Sequence, residues 1–248
     1  MTFTKVDKQL KLQVCLSPAL ITKYDLNDTI AIVIDVFRAT TSICYGLANG
    51  ADAIIPVASL EACLSYKAMG YLIAAERDGK VVEGFDFGNS PFSYTPESVA
   101  NKTVVLTTTN GTKAIDLCKH ADEVLVASFL NAEAVANYLR RQNKHILLIC
   151  AGWKDHPGLE DVACAGKMVD LLFGFSTLLD DGAHIAHATY RQSLLEGLPL
   201  YLQKASHTQR MQGLDLDKDI QLCLQENIIH NVPFLYEDRL INKPEFKS

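Results

Sequence analysis

The residues best suited to chemistry in this 248-residue sequence are carboxylates, arginines and hydroxyls gathered in short polar strings, most of them directly behind apolar runs. Asp35 follows Ile30–Ile34 and opens Asp35-Val36-Phe37-Arg38-Ala39-Thr40-Thr41. The other strings are Glu76-Arg77-Asp78-Gly79, Thr107-Thr108-Thr109-Asn110-Gly111-Thr112, Ser128-Phe129-Leu130-Asn131 and the stretch from Gly152 to Asp161. The second runs on into a dense turn sequence, Gly84-Phe85-Asp86-Phe87-Gly88-Asn89-Ser90-Pro91. Guanidinium forks such as Arg38 and Arg77 clamp phosphate, sulfonate or carboxylate. The oxygens of Asp35, Glu76, Asp86, Glu160 and Asp161 suit a hard divalent cation. The same residues could instead pair as ordinary salt bridges. Thr107–Thr112 brings together hydroxyls, a glycine and the free N–H groups of a starting helix, which makes it an anion cradle or a plain N-capped turn.

Several phosphate chemistries are excluded by spacing. No cysteine is followed six residues later by arginine, Phe37 stands two residues after Asp35 where a second aspartate would make a nucleophile pair, and neither Gly-x4-Gly-Lys-Ser/Thr nor Gly-x-Gly-x-x-Gly occurs. His184 and His187, with His156, lack a further strong ligand for zinc. The seven cysteines, an odd number without a Cys-x-x-Cys pair, read as buried small hydrophobes in a reducing compartment. A cytoplasmic location is expected.

These strings need a scaffold that holds them at one edge. β-Branched runs at Leu12–Leu16, Ile30–Val36, Ala53–Val57, Leu72–Ala75, Val104–Thr107, Val124–Ala127 and Ile146–Cys150 predict strands. Helical spacing over Thr40–Asn49, Leu60–Met69, Thr112–Lys119 and Asn131–Arg141 places helices between them. The alternation predicts an α/β fold, a layered α/β/α arrangement on a largely parallel or mixed sheet. In such sheets ligands collect outside the strand carboxyl ends, where the polar strings fall. Beyond about residue 158 the strand signal fades, and Glu160–Phe175, Gly182–Glu196, Ser206–Gly213 and Leu216–Asn227 predict a helical tail covering the sheet.

Residues 34–59 and 106–128 share a plan of strand, polar elbow, short helix, Ala-Asp step and second strand, and the likeness continues through the following helix and strand. The expectation is one domain over 1–248 built of two topologically similar, intertwined halves, about 1–100 and 101–248. With 48% hydrophobic and 21% charged residues the chain is globular, and its net charge of −6 offers no broad cationic surface to nucleic acid. The longest strongly apolar stretch, Ile146–Trp153, falls far short of the ~20 residues that span a bilayer, so no membrane association is expected. An acidic α/β enzyme of this size is expected to be a homodimer.

The strings DVFRATTSI, AAERDG, GFDFGNSP, TTTNGT and ASFLN, followed by Cys150-Ala151-Gly152 and Leu159-Glu160-Asp161, resemble in order and spacing the magnesium-dependent 2-phosphosulfolactate phosphatase (ComB) family. The resemblance spans about residues 30–170, with an echo in Ser206-His207, Gly213, Asp219, Cys223 and Val232-Pro233. Phe37 stands where leucine is common, and Ala74-Ala75 where glycine often precedes the glutamate. The resemblance implies an α/β fold of two similar halves and hydrolysis of (R)-2-phospho-3-sulfolactate to 3-sulfolactate and phosphate, on the route to coenzyme M. Physical roles follow on these positions. Asp35, Arg38 and Arg77 are expected to be catalytic, and Asp35, Glu76 and Asp161 to hold Mg2+. Thr40, Asn89, Thr108, Thr109, Asn110, Gly111, Thr112, Ser128 and Asn131 are expected to bind a small anionic phosphorylated substrate. The competing functions are a phosphatase for another small phosphorylated acid and a non-catalytic module that binds an anionic metabolite.

Overall fold

The computed structural model describes residues 9–77, 80–175, 178–211 and 216–244. Asp78 and Gly79 of the second polar string, and Gly213 of the tail, lie outside the described residues.

The strands are β1 (Lys11–Cys15), β2 (Thr29–Ile34), β3 (Ala53–Pro56), β4 (Leu72–Arg77), β5 (Lys80–Val81), β6 (Thr103–Thr107), β7 (Glu123–Ala127), β8 (His145–Cys150), β9 (Leu178–Leu179), β10 (Pro233–Tyr236) and β11 (Arg239–Asn242). The helices are α1 (Ala39–Ala48), α2 (Leu60–Lys67), α3 (Pro96–Val99), α4 (Gly111–Leu117), α5 (Ala132–Leu139), α6 (Leu159–Leu171), α7 (Asp181–Glu196), α8 (Leu198–Leu202), α9 (Ser206–Met211) and α10 (Asp217–Cys223). The strands foreseen from β-branched runs lie within two residues of those observed, because a strand covered on both faces must read as a continuous apolar run. β2 is the extreme case, buried at all six positions.

All the strands join one mixed sheet in the order β5-β4-β6-β3-β11-β10-β7-β2-β8-β1-β9. Two parallel blocks stand in it, β4-β6-β3 and β7-β2-β8-β1. Between them lies the hairpin β10–β11, antiparallel internally and antiparallel to β7 and β3 on its two sides. Three successive antiparallel pairings make the blocks run in opposite senses. The strands that the sequence repeat superposes, β2 on β6, β3 on β7 and β4 on β8, occupy mirrored places in the order on either side of the hairpin. Each block contains strands from before and after residue 100.

The hairpin corrects the expectation of a purely helical tail. Its strands are only four residues long, one opening on Pro233, so neither carries the long β-branched run that betrays the others. Pairing with strands far away in sequence supplies what local propensity does not.

One face of both blocks packs on the same helices. Ala31, Val33, Val126 and Ile149 from one block and Ile54, Ala74, Val104 and Leu106 from the other share a core with Ile43, Cys44 and Leu47 of α1 and Ala114 and Ile115 of α4. The opposite face is covered by α5, α6 and α7 over β2 and β8, and by Cys63 of α2 over Ile55, Ile73 and Val105. The result is the layered α/β/α arrangement. Because α1 and α4 belong to both blocks, the loops that start them, at the ends of β2 and β6, come together. No helix among the described residues is long and apolar enough to cross a membrane.

Candidate active site

The turn from β2 into α1 is built by its own threonines. Thr40 Oγ1 accepts the Asp35 N–H and donates to the Asp35 carbonyl, both at 2.9 Å, and Thr41 Oγ1 donates to the Val36 carbonyl at 2.9 Å. These hydroxyls satisfy backbone groups that the buried turn would otherwise leave unpaired. The turn leaves the Asp35 carboxylate buried at the head of α1, where the nearby Ala39 N–H favours its charged form.

The turn from β6 into α4 is closed in the same way. Thr108 and Thr112 exchange bonds, with the Thr112 N–H on Thr108 Oγ1 at 3.2 Å and Thr112 Oγ1 on the Thr108 carbonyl at 3.0 Å. The two turns touch at Gly111. A Cβ there would lie 2.6 Å from the Ala39 Cβ and 2.8 Å from Asp35 Oδ2, closer than any side chain permits. Glycine is required for close approach.

Around this junction lies a cavity of about 250 Å³ whose walls include Asp35, Arg38, Glu76, Asn89, Thr108, Thr109 and Asn110. The structure therefore brings together residues from four of the polar strings and their connecting loop. Trp153, Lys154, Phe37, His207, Arg210 and Met211 complete the wall.

Other expected site residues stand elsewhere. Successive side chains of a strand point to opposite faces, and where Glu76 faces the cavity, Arg77 does not line it. Arg77 Nη1 donates to the Glu76 carbonyl at 2.7 Å, and its charge acts on Glu61 and Cys63 of α2. Thr40 and Thr112 are buried within the turns just described. Ser128 and Asn131 brace the turn after β7, with the Ser128 N–H on Asn131 Oδ1 at 2.9 Å and Asn131 Nδ2 on the Asn231 carbonyl at 3.2 Å. Asp161 stands behind the cavity, accepting the N–H groups of Val36 and Gly152, each at 2.8 Å. It ties the β2 turn to the loop after β8.

Buried charge dominates the electrostatics. Burial pushes the Asp35 carboxyl up to about 7, with His207 opposing the shift and Glu160 and Glu76 adding to it. Burial likewise holds Asp161 well above the usual carboxylate range, reinforced by Glu160 and Asp35. Glu160 is almost fully enclosed; its Oε1 meets His207 Nδ1 at 2.8 Å while Oε2 has no partner among the described residues. Arg38 is buried and paired with Asp219 of α10, whose other oxygen accepts Ser90 Oγ at 2.9 Å.

Among the described residues no three His, Cys, Asp or Glu side chains enclose a metal position. A magnesium ion does not require such a cage, since it takes one or two carboxylates and completes its shell with water and substrate phosphate. Asp35 and Glu76 on the cavity wall, beside Asn89 with a buried Oδ1 that lacks a partner among the described residues, fit that pattern. Asp161 fits it less well, because both its oxygens already accept backbone N–H groups.

His207 and Arg210, from the six-residue α9, and Asp219 were given no role by spacing, although His207 and Asp219 belong to the tail echo. Trp153 and Lys154 sit inside a marked string that carried no role for either. The available signal was polar and aromatic residues interrupting an otherwise amphipathic tail.

Comparison with known proteins converges on one description. A family model described as 2-phosphosulpholactate phosphatase matches residues 15–238. A Thermotoga maritima protein named probable 2-phosphosulfolactate phosphatase is 41% identical over 213 residues, 86% of this chain and 92% of the relative. Relatives of the same name from Clostridium perfringens and Caldicellulosiruptor saccharolyticus are 37% identical over 227 residues and 36% identical over 214 residues. Those matches cover 89% and 82% of this chain and 91% and 88% of the relatives.

Proposed function

The chain belongs to the 2-phosphosulpholactate phosphatase family, and we propose that it is a magnesium-dependent phosphoric monoester hydrolase that converts (R)-2-phospho-3-sulfolactate to 3-sulfolactate and phosphate. The observation that carries the reading is the junction at Gly111, where the Asp35 carboxylate and the Thr108–Asn110 turn meet in one cavity.

Asp35 and Glu76 would hold Mg2+, which supplies charge neutralisation at the phosphoryl oxygens when bound. Thr109 and Asn110 bind the phosphoryl group from the β6 turn. Arg38, held by Asp219, contributes positive potential in a buried setting where charge acts strongly. Water adds to phosphorus as the bond to the ester oxygen breaks. His207, oriented through Nδ1 by Glu160, delivers a proton from Nε2 to that leaving oxygen. Water's hydroxyl ends on phosphorus, and its remaining proton passes to solvent, from which His207 Nε2 is reprotonated.

The substrate is small and anionic, in keeping with a cavity of about 250 Å³. A cytoplasmic setting is supported by seven cysteines that are all buried and free. The coenzyme M route is the one implied by the resemblance.

Phosphate release from phosphosulfolactate tests the reading, measured with chelator, with Mg2+ restored, and for Asp35→Asn. The expected outcome is activity restored by Mg2+ and lowered about 10²-fold or more in the variant, the scale of losing one preorganised electrostatic group. Near wild-type turnover by Asp35→Asn would remove Asp35 from the mechanism. Faster release from another phosphorylated acid would reassign the substrate.

A further inference from the structure

Two cations on the cavity wall remain unused by the phosphoryl chemistry. Lys154 Nζ lies 4.4 Å and the Arg210 guanidinium carbon 4.0 Å from the centroid of the same indole, that of Trp153. All three residues line the cavity. Arg38 is paired with Asp219 and Lys113 with Asp155, but among the described residues no carboxylate stands within salt-bridge distance of Lys154 or Arg210. The ring face attracts each cation. Glu160 acts favourably on the Arg210 charge, and an anion beside both cations would further offset their mutual repulsion.

The loop that carries Lys154 is fixed in an uncommon conformation. Lys154 and Asp155 have φ of 48° and 64°, in the left-handed region that non-glycine residues seldom adopt. Gly152 precedes them at φ 56°, and a Cβ there would lie 2.0 Å from the His156 carbonyl oxygen. The Trp153 N–H donates to that carbonyl at 2.9 Å, and the Lys154 N–H donates to Asn110 Oδ1 at 3.1 Å. Lys113 Nζ holds the Asp155 carboxylate at 2.8 Å. Local conformational cost of this kind persists where surrounding contacts enforce it, and it gathers at ligand-binding positions. From the other side, Arg210 is steadied by Nη1 donating to Ser206 Oγ at 3.2 Å. The turn after β8 and helix α9 thus converge on one indole, next to the turn assigned to phosphate.

We infer that Lys154 and Arg210, seated on Trp153, bind the second anionic group of the substrate, its sulfonate, and so select phosphate esters that carry one. The inference rests on the phosphatase reading for the identity of the substrate. The contacts that define the pair do not depend on it. Trp153 acts as a positioning residue that fixes the spacing of the two charges.

Binding separates the two readings. Calorimetric titration of 3-sulfolactate and, separately, of inorganic phosphate is carried out on the Mg2+-loaded wild type and on Arg210→Ala, Arg210→Lys and Lys154→Ala. Both side chains are exposed, so truncation leaves the core intact. Each alanine variant is expected to weaken 3-sulfolactate about tenfold or more, the worth of one charged hydrogen bond, while phosphate changes less than about twofold. Arg210→Lys is expected to recover part of the loss. The sole tryptophan gives a second readout: 3-sulfolactate changes the emission of Trp153, and phosphate alone does not. Equal weakening of the two ligands, no weakening of either, or failure of the wild type to bind 3-sulfolactate would overturn the inference. A wild type that binds 3-sulfolactate through this pair yet releases no phosphate from phosphosulfolactate would instead overturn the phosphatase reading alone.

Discussion

Gly111 is where the turns after β2 and β6 press on each other, and its missing side chain sets their distance. In Gly111→Ala the new methyl group would meet Ala39 and the Asp35 carboxylate, both on backbone held by buried hydrogen bonds, so the turns must part. A stability loss of about 1–3 kcal/mol is expected from overpacking, together with a fall in turnover that exceeds what lost folding explains. Denaturant midpoints and phosphate release on the folded fraction check this. Wild-type turnover in a destabilised Gly111→Ala would detach the junction from catalysis. At this scale the sequence was informative where a carboxylate or hydroxyl followed a long apolar run, as for Asp35 and Thr108. It misled at Arg77, which lies beside Glu76 in sequence but on the opposite face of β4, a consequence of strand alternation readable beforehand. Ser128 and Asn131 have the composition of a ligand-binding turn and spend their polar atoms holding their own backbone and that of Asn231.

Helix α10 reaches the site through Asp219. Asp219 accepts Arg38 and Ser90, and both members of the Arg38–Asp219 pair are almost entirely enclosed, with side chains 5% and 8% exposed. Losing a hydrogen bond to a charged group costs about 1.5–3 kcal/mol. Asp219→Ala is therefore expected to lower stability by that amount and to impair phosphate release, whereas Asp219→Asn can still accept from Arg38 through its amide oxygen and loses less. A change below about 1 kcal/mol in Asp219→Ala would mean that the Arg38–Asp219 pair adds little to stability. The elements themselves were largely legible, because buried parallel strands and amphipathic helices leave strong periodicities. The short hairpin β10–β11 and helix α8 were not, because their stability comes from partners distant in sequence.

The whole molecule carries a net charge of −6, yet its functional cavity gathers Arg38, Lys154 and Arg210. The grouping of these cations is therefore local, and their placement could not be inferred from composition. The order of the sheet has a different consequence. Within the sheet the two parallel blocks are joined through β10–β11, and this pair is synthesised after the nine strands that flank it on either side. During translation both blocks must therefore wait, with β3 and β7 offering bare edges to any neighbouring polypeptide. A ribosome-tethered chain arrested before Val232 clears the exit tunnel is expected to be cut readily by protease within both blocks, and one released past Asn242 to resist. Equal resistance of the two would show that the blocks close without their seam. Chaperone dependence, and self-association of prematurely terminated chains, would then concentrate in the interval before the last pair of strands is delivered.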